Sequence, residues 1–111
     1  MTSFDESDGG TGYLLHELEA AVRLAEDLSA PPAGRRESKQ LRDTLIPALL
    51  DARTYVEVGQ VAQPEVGLSL TAAVDAASRL AEDNRRYALL LSRLRVLRED
   101  AARVAKAASL R

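Results

Sequence analysis

The chain has 111 residues, 46% of them hydrophobic, with fifteen Lys plus Arg against seventeen Asp plus Glu for a net charge of −2. That length suits one domain with one modest core, and the balance of apolar and charged residues favours folding. With no Cys and a single His, disulfides, thiolate nucleophiles and Cys-built or multi-histidine metal sites are excluded, and the reducing cytoplasm is the expected compartment.

Residues 1–12 combine three acids with three glycines and little to bury, so a disordered acidic tail is expected. Asp5, Glu6 and Asp8 stand where an export or organelle signal would carry basic residues, so no targeting peptide is read there. Phe4 is the tail residue suited to anchoring a short docking motif on a partner. From Tyr13 to Ser29, Leu14, Leu18, Ala21, Ala25 and Leu28 step by four and three, with Leu15 and Val22 widening the stripe. This is the pattern of an amphipathic helix, and Pro31, Pro32 and Gly34 stop it. Ser38 is placed to cap a second helix over 38–57 that buries Leu41, Leu45, Ala48, Leu49 and Ala52. Inside it, Pro47 cannot bond the carbonyl of Asp43 and biases Ile46 away from helical angles, which predicts a kink or a restart. Gly59, Pro64 and Gly67 predict a loop from Val58 to Leu68.

The third stretch carries the strongest periodicity. Ala73, Ala76, Leu80, Asp83, Tyr87, Leu90, Leu94, Leu97, Ala101, Val104 and Ala108 alternate spacings of three and four, and no Gly or Pro falls between 70 and 111. The pattern predicts a coiled-coil seam on one helix over 70–109, of about 60 Å. The fold expected is therefore all-α: an up-down-up three-helix bundle over 13–111 with a long C-terminal helix that overhangs the others. The apolar run Ala88 to Leu91 is far short of the roughly twenty residues a membrane span needs.

Charge is graded along the chain, with residues 1–37 net −5 and residues 79–111 net +5. Arg79, Arg86 and Arg93 recur every seven residues beside the seam, where they can pair with Glu17, Glu19, Glu26 and Asp27 of the first helix or with a partner. The overall charge is acidic and no recognition motif is present, so nucleic acid is not an expected ligand. Asp83 sits in the seam itself, where a carboxylate must pair, reach water or bond Tyr87, and it reads as a polar residue that sets helix register. Leu89 and Val96 point away from the seam, seven residues apart, as a place for a fourth helix or a partner chain to dock.

Catalytic patterns are weak. His16 has no hydroxyl nucleophile at a helical spacing, and there is no glycine-rich phosphate loop, Glu-x-x-His pair or acidic calcium loop. An enzyme would require Asp83, Tyr87, His16 or the arginine row to converge on a pocket. No cofactor, metal or small-molecule substrate is expected, and the reading is a non-enzymatic protein–protein interaction module.

Two runs carry a family resemblance. Ser38-Lys39-Gln40-Leu41-Arg42-Asp43-Thr44-Leu45 matches a capped helix start of the form Ser/Thr-x-x-Leu-Arg-x-x-Leu, and Tyr87, Leu91, Leu94, Leu97, Ala101 and Ala102 follow an aromatic-to-alanine helix pattern. Together they resemble the N-terminal three-helix regulatory (Habc) domain of syntaxins, above all the endosomal and vacuolar ones. Departures are Leu94-Arg95 in place of Phe-Gln, Arg86 in place of an acid, and a longer, proline-rich first connection. The resemblance implies a module that folds back on a SNARE helix and engages proteins of the Sec/Munc class or tethers. On that reading the chain is an excised domain or a shortened relative, since no SNARE helix or anchor follows. Alternatives of similar physics are a small bacterial adaptor or secretion chaperone that sequesters a client's helix, and the subunit of a homo-oligomeric helical assembly.

Overall fold

The computed structural model describes residues 10–110; Phe4 and positions 1–9 of the expected tail lie outside it, and Thr11 and Gly12, expected in the tail, already belong to the first helix. Helix α1 (Thr11–Ser29) follows Gly10, whose φ of 93° is left-handed and favours glycine. Its buried stripe is Leu14, Leu18, Ala21 and Ala25, the spacing expected, with Leu28 half-buried. After Ala30 the backbone turns extended and the two prolines prevent further winding.

The second helical rod starts earlier than Ser38. Helix α2 (Arg35–Gln40) begins after Gly34, whose N–H donates to the carboxylate of Glu37 at 3.2 Å, while the Ser38 N–H already bonds the Gly34 carbonyl. Glu37, three residues into the helix, thus does the capping that the sequence reading gave to Ser38. Proline 47 does not break the rod. The preceding residues, Leu41–Leu45, form one wide π turn in which the Ile46 N–H reaches back five residues to Leu41, and α3 (Ile46–Glu57) continues with Pro47 in its first turn. Widening the ladder gives the ring room at the carbonyls it would otherwise strike. Leu41, Leu45, Ala48, Leu49, Ala52 and Val56 are buried along this rod.

Helix α3 ends at Gly59 (φ 78°), where the Gln60 N–H bonds the Tyr55 carbonyl at 2.8 Å and closes a left-handed cap. The loop is shorter than expected, because α4 (Pro64–Asp83) starts at Pro64 itself. A proline in the first helical position loses no hydrogen bond and presets φ, so here it opens a helix instead of marking a loop.

The largest correction concerns the seam. It is not one helix: Asn84 is extended (φ −150°, ψ 121°), a short 3₁₀ turn Arg85–Tyr87 follows, and α5 (Ala88–Ser109) folds back along α4. Asn84 works at both ends of the break. Its N–H bonds the Leu80 carbonyl at 3.0 Å, and its side-chain oxygen accepts the Arg86 N–H at 3.0 Å. The physical reason is burial. A 60 Å helix would leave half its stripe bare, whereas folding it in two buries Leu70, Ala73, Ala77 and Leu80 against Tyr87, Leu90, Leu94, Leu97 and Ala101, within a body 45 Å long.

Four helical rods result, with no strand among the described residues. Contacts run in a ring, α1 to α3 to α4 to α5 and back to α1. Ser29 meets Arg42 and Glu19 meets Arg53, so α1 and the second rod are antiparallel; Leu28 meets Arg86 and Tyr13 meets Asp100, so α1 and α5 are too. The bundle is thus up-down-up-down, one helix more than the three expected.

Truncating Leu94, which is fully buried, should cost about 3 kcal/mol as Leu94→Ala, whereas Leu89→Ala at a 56% exposed position should stay within about 0.5 kcal/mol. Urea denaturation of the two variants beside wild type measures both.

Candidate interaction surface

Apart from Phe4, which lies outside the described residues, each candidate residue has a definite place in the bundle. Leu89 and Val96 are 56% and 51% exposed on the outer face of α5, with Arg93 exposed beside them. Arg79 is exposed on α4, and His16 is exposed on α1. Asp83 is exposed at the end of α4 and is no seam residue. Once the chain reverses one residue later, that position faces water and no buried carboxylate has to be compensated there. The buried acid is Asp100, which accepts from the Tyr13 hydroxyl at 3.4 Å and from Arg103.

The arginine row does not act as a row. Because α4 and α5 are separate helices, Arg79 sits on one and Arg93 on the other, and neither has an ion pair among the described residues. Arg86, in the turn, donates to the Leu28 carbonyl at 3.3 Å and lies 5.3 Å from the Tyr87 ring centre. One acid of α1 finds a different partner: Glu19 pairs with Arg53 of α3 at 3.1 Å, and Arg53 also holds Glu57 at 2.7 Å.

Sequence periodicity did not disclose the bond that ties the reversal to the rest of the bundle. The buried Tyr87 hydroxyl donates to Glu37 at 2.8 Å, across fifty residues of chain. Burial, together with the neighbouring carboxylate, pushes the Tyr87 hydroxyl up to about 12. Glu37 is held below the usual carboxylate range, first by the Tyr87 hydrogen bond and then by the Gly34 N–H, against the opposing effect of desolvation. Its one sequence signal was Glu37 three residues after Gly34, a capping spacing.

An apolar groove lies elsewhere, between the start of α4 and the second half of α5. It measures about 540 Å³, with Gly67, Leu68 and Thr71 on one wall and Arg98, Ala101 and Ala105 on the other. Leu68 is 69% exposed at its edge. Arg98 is the one charged residue lining it. Small side chains on both helices leave the concavity between them. The groove uses none of the sequence-derived candidates, since Leu89 and Val96 lie on another face. Among the described residues no cluster of three His, Cys, Asp or Glu is arranged to hold a metal, and no helix is long and apolar enough to cross a membrane.

Tyr87→Phe should lower stability by about 1–2 kcal/mol near neutral pH, the range for a partly shielded hydrogen bond to a charged group. With the Tyr87 hydroxyl raised above its ordinary value of 10.0, its contribution is full below about pH 10 and fades as pH climbs through about 12. With Glu37 lowered from 4.5, its contribution is present above about pH 4.5 and fades on further acidification. The gap between wild type and Tyr87→Phe in urea titrations should accordingly be widest between about pH 5 and 10 and narrow on both sides.

Comparison with known proteins supplies no relative: no family model, no curated protein and no solved structure matches the chain.

Proposed function

We propose that this chain is a non-enzymatic protein–protein interaction module that seats an amphipathic helix of a partner in the groove between α4 and α5. The observation that carries this reading is the groove's lining: apolar and small residues from two helices, one exposed leucine at the lip, and Arg98 as the single charge. A docked helix buries its Leu or Ile stripe against Gly67, Leu68 and Ala101, and a Glu or Asp on its flank meets Arg98. The ligand is thus an amphipathic helix with an acidic edge.

The syntaxin-like pattern narrows the partner to a SNARE helix, with the module controlling SNARE assembly in vesicle fusion from the cytoplasmic side. That pattern rests on Ser38 to Leu45 and Tyr87 to Ala102. A bacterial adaptor or secretion chaperone uses the same groove on a client's helix. The Leu89 and Val96 face is a second surface on which a partner helix could lie, flanked by Arg93.

A designed peptide of about eighteen residues, with Leu at i, i+3 and i+7 and Glu beside them, distinguishes these surfaces. Amide shifts in the labelled protein should change at residues 67–71 and 98–105, and Leu68→Glu, at an exposed position on the groove edge, should weaken binding at least tenfold. Shifts confined to residues 89–96, or affinity indifferent to Leu68→Glu, would overturn the groove as the site. SNARE-derived helices and secretion-client helices titrated in turn then rank the two narrower readings.

A further inference from the structure

The turn at Asn84 has unusual sequence chemistry for a helix reversal. Residues 81–88 contain neither Gly nor Pro, and nothing in them prevents a helix from running straight through. The stripe also runs through: Leu80 and Tyr87 are both buried and stand seven residues apart, the spacing that keeps two residues on one face of one helix. What holds the chain bent is one bond within the turn and two that reach distant parts of the chain. Asn84 caps the turn, Arg86 reaches the Leu28 carbonyl, and Tyr87 reaches Glu37.

The packing of α4 on α5 has the register of a hairpin. Pro64, Leu68 and Thr71 of α4 and Arg98, Ala101 and Ala105 of α5 line one groove, and the two sets lie at equal distances in sequence from the junction of Asn84 and Arg85. Two straightened copies laid antiparallel across a two-fold axis at that junction would recreate the same α4-to-α5 contacts between chains. They would also set Asp83 of one copy opposite Arg86 of the other, twice. In the bent form Asp83 is exposed and without an ion pair among the described residues.

We infer that α4 and α5 also exist as one uninterrupted helix over 64–109, roughly 70 Å long, in a dimer whose partner is a second copy of this chain exchanging α5. Each groove of that dimer takes its α4 wall from one chain and its α5 wall from the other. Apart from the turn and its bonds, the exchanged form keeps the same interface, so the two forms differ mainly at residues 82–88 and in the cost of association. Concentration and the chemistry of the turn therefore set the balance between them. This conclusion is independent of what the groove binds.

The test uses the full chain, with size-exclusion chromatography and light scattering from about 5 µM to 1 mM on wild type, Asn84→Ala and Arg85→Pro. Asn84→Ala removes the cap and favours a continuous helix. Arg85→Pro has the opposite effect: Asn84 is already extended, as a residue before proline prefers, and position 85 opens the next turn, where proline fits. Expected are dimers that form at least tenfold more readily for Asn84→Ala than for wild type, and none for Arg85→Pro. Equal dimerisation of the two variants, or a monomeric Asn84→Ala at every concentration, would overturn the inference.

A second readout does not depend on either hinge variant. The chain has no cysteine, so Thr71→Cys with Arg98→Cys introduces the only two thiols, across the groove. A short bismaleimide should give covalent dimers from the dimer fraction and intrachain links from the monomer fraction. Intrachain links alone in both fractions would mean that any dimer forms by surface contact, and the exchange would be wrong.

Discussion

One reversal of direction, at Asn84, decides the architecture. A 3-4 stripe of some forty residues must be covered by something, and one chain of this length has too little else to cover it. Bending the stripe on itself makes each half the cover of the other. The energetic cost is small because Asn84 caps the end of one helix with its N–H and the start of the next with its side chain. The Tyr87 hydroxyl then anchors the bend to Glu37, so the end of α4, the start of α5 and the first turn of α2 meet at one pole of the bundle. Everything at the opposite pole, including the groove beside Gly67 and Ala101, is positioned by the angle at which the two helices leave that bend.

Helix-forming patterns were largely readable from the sequence, and the places where they misled share one cause. The stripes of α1 and α3 lie where spacing put them, because a half-buried helix on the outside of a bundle shows its period plainly. Asn84 was missed because a break needs no Gly or Pro when side-chain capping can satisfy the backbone, and a heptad pattern is silent on whether its two halves belong to one helix. Pro64 opens a helix where a loop is expected, for a related reason, whereas at Pro47 the expected restart is found, with α3 beginning at Ile46. Proline obstructs a helix only where an N–H is required, and at the opening of α4 none is. At position 47 a wider turn accommodates it.

The candidate site was less legible than the fold. Exposure singled out Leu89 and Val96 correctly as outward-facing, but the groove arises from residues that look bland in sequence. Gly67, Thr71, Ala101 and Ala105 create a concavity by what they lack, and only the antiparallel arrangement of α4 and α5 brings them together. The charge reading also changed character. The arginine heptad is a pattern in one dimension; split over two helices and a turn, it leaves Arg86 to a backbone carbonyl, while Glu19 of α1 pairs with Arg53 instead.

The wide turn at Leu41–Leu45 has an arithmetic meaning. It holds one residue more than an α-helical ladder needs, so the helix before it is phased as though its numbers were each one higher. Leu41 then sits in the place three residues before Leu45, and the buried series through Leu49, Ala52 and Val56 falls into alternating threes and fours. Relieving the turn without removing a residue would rotate α2 about its axis by about 100° relative to α3. Glu37, carried on α2, would swing away from Tyr87. A proline on one helix and a tyrosine forty residues later are in this way mechanically linked, and insertions or deletions within the second rod act at a distance on the bend that organises the bundle.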